Sequence, residues 1–140
     1  MGLVRTFDHT ADVGLRIEGV SLADVFETAA VGLFDVMVAN RADIRLREPE
    51  LVELRAESTA ELLLTWLNEL IVRCEIQHRF YGRFEVQLHE DELGLNAKIV
   101  GEPIDSEYHV FGPEVKAATH HGLLLEPTPS GWVAEVILDL

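Results

Sequence analysis

The apolar residues of this chain change period, from every second residue to every third or fourth and back. Each change into the longer period follows a capping box. Val13, Leu15 and Ile17 alternate with Gly14, Arg16 and Glu18, as on a half-buried strand, and Leu3 to Phe7 predicts a short strand before them. Ser21 and Asp24 then take the S-x-x-D spacing, in which a serine hydroxyl accepts a backbone N–H of the first helical turn. Behind them Leu22, Val25, Phe26, Ala29, Ala30, Leu33, Phe34 and Met37 recur at helical spacing. Ser58 and Glu61 open a second helix running to about Glu75, its apolar face being Leu63, Trp66, Leu67, Leu70, Ile71 and Cys74. Between the helices, Ile44 to Ala56 reads as extended structure interrupted at Pro49, which lacks an N–H and marks an edge or break.

The rest of the chain alternates. Phe84 to Leu88 and Leu93 to Ile99 predict a hairpin across the polar turn His89-Glu90-Asp91-Glu92. Glu102 to Pro113 has no clear period and reads as a surface loop. Two last strands follow. In the first, Val115, Ala117, Thr119, His121, Leu123 and Leu125 share one face, with Lys116, Ala118, His120 and Gly122 on the other. In the second, Trp132, Ala134, Val136, Leu138 and Leu140 form an apolar row opposite Val133, Glu135, Ile137 and Asp139. The expected fold is α+β, with two amphipathic helices packed on a mostly antiparallel β-sheet. The 140 residues fit one compact domain spanning 1–140, with no repeat and no linker.

Charge narrows the function. Eleven Lys and Arg against 25 Asp and Glu leave a formal net charge of −14. A field of that sign repels phosphate backbones, so direct nucleic-acid binding is not expected; it suits metal cations or a basic face on another protein. The single cysteine, Cys74, excludes an internal disulfide framework and a CxxC zinc site. There is no signal-peptide core near Met1 and no apolar run long enough to span a membrane, which predicts a soluble, cytoplasmic protein. Neither a G-x-S-x-G elbow nor a phosphate-binding loop is present, and the six histidines form no chelating pair.

Three features stand out against that background. Asp8-His9-Thr10-Ala11-Asp12 puts two carboxylates at a strand start, where they serve either as turn residues or as oxygen ligands. Asp139 ends a strand that otherwise reads as buried, and is either a solvated chain end or a second oxygen donor beside Leu140. Lys116, one of two lysines, projects from a face of small residues, as a solvated strand residue or an accessible ammonium. Glu69 lies beside Leu67, Leu70 and Ile71, where helix geometry can still turn it outward.

Three separated blocks carry a resemblance. The first is Phe7-Asp8-His9-Thr10-Ala11-Asp12-Val13-Gly14-Leu15, followed by Ser21 to Phe26 and Gly32 to Met37. The second is Leu62-Leu63-Leu64-Thr65-Trp66-Leu67-Asn68-Glu69-Leu70, and the third is Glu114 to Leu123 with the closing Ile137-Leu138-Asp139-Leu140. Together they resemble the archease family, end to end and in order. The resemblance implies a non-enzymatic accessory protein of an RtcB-type RNA ligase. Such ligases join 2′,3′-cyclic-phosphate or 3′-phosphate RNA ends to 5′-hydroxyl ends with GTP and Mn²⁺. It further implies help in ligase guanylylation and multiple turnover, in tRNA splicing or RNA repair. The family's divalent-metal site (Ca²⁺ or Mg²⁺/Mn²⁺) maps onto Asp12, Asp139 and Leu140, the last through a backbone or terminal oxygen. Its functional lysine maps onto Lys116, while Asp8 and His9 keep their reading as structural supports of the loop. His120 replaces a tyrosine usual in that motif, and Gly122 a frequently polar residue. An alternative is an acidic chaperone-like modulator of another tRNA-processing enzyme, such as a tRNA methyltransferase. A small metal-dependent hydrolase would need a nucleophile or general base that the sequence does not offer.

Overall fold

The computed structural model describes residues 2–9 and 12–140. The Thr10-Ala11 part of the first block lies outside the described residues, as do the side chains of Asp8 and His9. Among the described residues, seven strands and two long helices follow in the order β1 (Leu3–His9), β2 (Asp12–Gly19), α1 (Leu22–Met37), β3 (Glu48–Arg55), α2 (Thr59–Gln77), β4 (Arg79–Leu88), β5 (Gly94–Pro103), β6 (Ala117–Thr128) and β7 (Gly131–Asp139). The strands divide between two sheets, β1-β2-β7-β6 and β3-β5-β4, and every pairing is antiparallel. The fold is α+β, with both helices packed against the sheets.

Both serine N-caps form, with Asp24 reaching back to Val20 and the Glu61 carboxylate turned to His120. Ser21 Oγ accepts the Asp24 N–H at 3.1 Å, and Asp24 Oδ2 accepts the Val20 N–H at 3.0 Å. Ser58 Oγ accepts the Glu61 N–H at 3.1 Å. Helix α2 runs to Gln77, two residues past the expected end, and stops where His78 turns left-handed at φ 54°. Strand β4 begins directly afterwards at Arg79, ahead of the expected Phe84.

The buried face of α1 includes Val25, Phe26, Ala29, Ala30, Leu33 and Phe34, and lies against β4 and β2. Trp66 ties the helices together, its indole N–H donating to the Phe26 carbonyl at 2.9 Å within the core. Phe34 stands among Phe80, Tyr81 and Phe84, with ring centroids 5.5 to 6.5 Å apart. Each such fully buried side chain contributes about 1.5–3 kcal/mol by leaving water.

Two sheet edges are met by helix side chains, which supply partners for strand groups that would otherwise face outward. Glu27 of α1 accepts the Val86 N–H at 2.8 Å, and Asn68 of α2 bonds the backbone of Ala118 in β6. The expected loop from Glu102 is corrected at its start. Glu102 still belongs to β5 and is only 1% exposed, because its carboxylate is held from three directions by Arg45 and His109.

Candidate functional site

Strands β2 and β7 pair with Val13 opposite Leu138, Leu15 opposite Val136 and Ile17 opposite Ala134. Leu15, Ile17, Ala134, Val136 and Leu138 are buried, so these pairs mark the inner face of the sheet. The intervening residues face outward, as the Arg16–Glu135 ion pair at 2.6 Å confirms. One step beyond Val13 and Leu138, the same register brings Asp12 beside Asp139 on that outer face. Strand β6 adds the third expected residue. Ala117 pairs with Asp139, and the Lys116 N–H donates to the Asp139 carbonyl at 2.8 Å. Leu140 follows, half-buried against the core. One end of one sheet thus gathers Asp12, Asp139, Leu140 and Lys116, which the sequence spreads over its whole length.

Lys116 is exposed and makes no ion pair with any described residue. It borders a groove of about 940 Å³ whose walls include Met37, Ile71, Cys74, Phe80 and Phe111. The Cys74 thiol in that wall is pushed up to about 12, by burial first and by the Glu50 charge second, which leaves it protonated and inert.

The expected small-residue face of β6 is corrected. Ala118 is buried and turned to α2, while Lys116 precedes the strand. The register then breaks between Thr119 and Leu124, where Gly122 takes φ +66°. Thr119 stands opposite outward Ile137, yet Leu125 stands opposite inward Ala134, so residues 119 and 125 do not share a face. His120 lies in the bulge and bonds Glu61 at 2.8 Å.

Among the described residues, no group of three or more His, Cys, Asp or Glu side chains is arranged to hold a metal. Among the described residues, the donors that a cation at this sheet end would meet are the two aspartates and an oxygen of Leu140. That is a small set of hard oxygen donors, with water completing the shell, and its chemistry fits Ca²⁺ or Mg²⁺. Glu69 is tied to Arg73 at 2.6 Å and is part of the bridge from α2 to Glu50 of β3.

A second buried polar group escaped sequence reading. Glu102 Oε2 accepts the Arg45 N–H at 2.7 Å and faces His109 Nε2 at 2.9 Å, while Oε1 accepts Arg45 Nε at 2.7 Å. The Asp105 N–H donates to His109 Nδ1 at 2.9 Å, which places the ring proton on Nε2 and makes it the donor to Glu102. The cluster pins the segment that leads from β5 toward Lys116.

Comparison with known proteins decides the family. The model of the archease protein family matches residues 5–140. The chain belongs to the archease family. It is 39% identical to the archease of Pyrococcus abyssi and 40% identical to that of Thermococcus gammatolerans, each over 137 residues and 96% of both chains. The solution structure of Methanobacterium thermoautotrophicum protein 1598 superposes with a TM-score of 0.84 at 34% identity, covering 98% of each chain. The crystal structure of a Thermotoga maritima archease, described as a possible chaperone, shares the fold with a TM-score of 0.68 at 21% identity. That match covers 97% of this chain and 96% of the other. Among the described residues, no helix of this archease is long and apolar enough to cross a membrane.

Proposed function

We propose that this chain is a non-enzymatic, metal-binding accessory protein of the cytoplasm that activates an RtcB-type RNA ligase, promoting its guanylylation and repeated turnover in tRNA splicing or RNA repair. The observation that carries the reading is the convergence of Asp12, Asp139, Leu140 and Lys116 on one end of the β2-β7-β6 sheet. Family membership supports it from the other side.

Asp12 and Asp139, with an oxygen of Leu140, would hold a divalent cation. When bound, the cation supplies concentrated positive charge on an otherwise acidic surface. The chain's own groups do the remaining work. The paired strands hold the two carboxylates at fixed separation, the half-buried Leu140 anchors the end of the backbone, and Lys116 presents an ammonium at the same sheet end. Docked near the nucleotide pocket of a ligase, such a face assists charge redistribution there.

The test is a multiple-turnover ligation assay with an RtcB-type ligase, with and without this protein. Stimulation by the wild type and its loss in folded Asp12→Ala and Asp139→Ala variants are expected. If both variants stimulate as the wild type does, the mechanism is wrong.

A further inference from the structure

Strand β6 is the outer strand of its sheet, with β7 on one side only. At Ala118 the backbone N–H and C=O are both met by one side chain from α2. Asn68 Oδ1 accepts the Ala118 N–H at 2.9 Å, and Asn68 Nδ2 donates to the Ala118 carbonyl at 3.0 Å. A side-chain amide carries a donor and an acceptor in one plane, so it reproduces what a neighbouring strand would offer. Asn68 thus stands in for the strand that this edge lacks.

The place of the contact gives it meaning. Ala118 directly follows Ala117, which pairs with Asp139, and lies two residues after Lys116, whose N–H donates to the Asp139 carbonyl. On one side of this short ladder is the irregular segment 104–116, and on the other the register break after Thr119. Few bonds from β7 hold the strand start, and Asn68 adds two. Packing alone does not call for an amide there, because the neighbouring Leu64, Leu67 and Ile71 already bury the helix in the core. A half-buried amide is worth its desolvation only where its bonds are made.

We infer that Asn68 is a positioning residue: its amide fixes the start of β6, and with it the placement of Lys116 and of the Asp139 backbone for contact with a partner. The inference rests on the proposed roles of Lys116 and Asp139.

The experiment uses the full chain as wild type, Asn68→Ala, Asn68→Asp, Lys116→Ala and the Asn68→Ala/Lys116→Ala double variant. Amide hydrogen exchange is read first. In Asn68→Ala, exchange at Lys116 and Ala118 accelerates by about tenfold or more, while amides of β2 and β7 around Leu15 and Val136 keep their protection. Asn68→Asp retains the acceptor for the Ala118 N–H and lies between. In ligation with an RtcB-type ligase, Asn68→Ala lowers stimulation by roughly three- to tenfold, and the double variant is no worse than Lys116→Ala alone. A purely structural role would give additive losses and a general fall in protection. Additive losses, or wild-type exchange at Lys116 in a folded Asn68 variant, overturn the positioning role alone. Wild-type stimulation by Lys116→Ala overturns the activating role of Lys116 and this inference with it. Should Asn68→Ala fail to fold, Asn68→Asp carries the same comparison.

Discussion

Replacing Glu102 is the sharpest test of how the segment before Lys116 is held. The side chains of Glu102 and His109 are 2% and 0% exposed, and the carboxylate accepts from the Arg45 N–H, Arg45 Nε and His109 Nε2. Burial alone would raise its pKa. The bonds from the Arg45 N–H, His109 and the Arg45 guanidinium outweigh that and bring it below the ordinary 4.5. In Glu102→Ala the Arg45 N–H and His109 Nε2–H are left without acceptors inside the protein, at about 1–3 kcal/mol each. With the stranded guanidinium included, the expected loss is about 3–5 kcal/mol. Glu102→Gln keeps one acceptor oxygen but turns an NH₂ toward a donor. Because Arg45 is 38% exposed and can swing into water, that variant loses less, about 1.5–3 kcal/mol.

The sign of the pH dependence follows from the depressed carboxyl. The contribution of Glu102 is fully present above about pH 4.5 and is lost as pH falls through the lower folded value. Urea denaturation followed by circular dichroism, from about pH 7 down to about pH 3, reads this directly. The gap between wild type and Glu102→Gln should be widest near neutrality and close toward acid. A gap under about 0.5 kcal/mol near neutrality, or one unchanged in acid, refutes the account of the buried cluster.

Asp12→Asn and Asp139→Asn should each weaken Ca²⁺ binding by about tenfold or more in calorimetric titration, with thermal melts confirming the fold; unchanged affinity removes the aspartates from the site. Trp66→Phe removes the 2.9 Å indole bond to the Phe26 carbonyl, which keeps its helical bond, and leaves a cavity in the core, so it should cost about 1–3 kcal/mol in urea denaturation. Cys74, buried and pushed up to about 12, should resist a thiol reagent in the native state and react only as urea opens the core. Labelling at the rate of a free thiol would contradict that burial.

What the sequence made legible was local. Ser21 and Ser58 mark helix starts because a cap is settled within three residues, and both bonds are made. The outcome at β6 was hidden because alternation assumes an unbroken ladder. Gly122, tolerant of positive φ, was the single local sign of a break that exchanges the inner and outer faces. Asn68 meets a strand 50 positions away and Glu102 meets Arg45 across 57, so neither partner is written nearby. An amide amid the apolar face of α2 was the available signal for the first. Glu102 carried none, since a carboxylate before a proline reads as surface. Asp12 and Asp139 were joined by family resemblance, and register now supplies a physical reason for their proximity.

The charge of −14 gains meaning from where the cations are spent. Arg16, Arg41, Arg45, Arg47, Arg55, Arg73, Arg79 and Arg83 each face a carboxylate within the fold. Each paired guanidinium has part of its field neutralised by the neighbouring carboxylate, which weakens the long-range attraction it offers a phosphate. The scarcity of positive charge is thus deeper at the surface than the count of eleven Lys and Arg suggests. Lys116, like Arg5 and Lys98, has no ion pair with any described residue, and of these Lys116 stands at the sheet end that carries Asp139. A chain built this way is poorly suited to holding RNA itself. Under the proposed function, such a chain would reach RNA through a protein partner, to which it would bring the exposed ammonium of Lys116 and the oxygens for a cation.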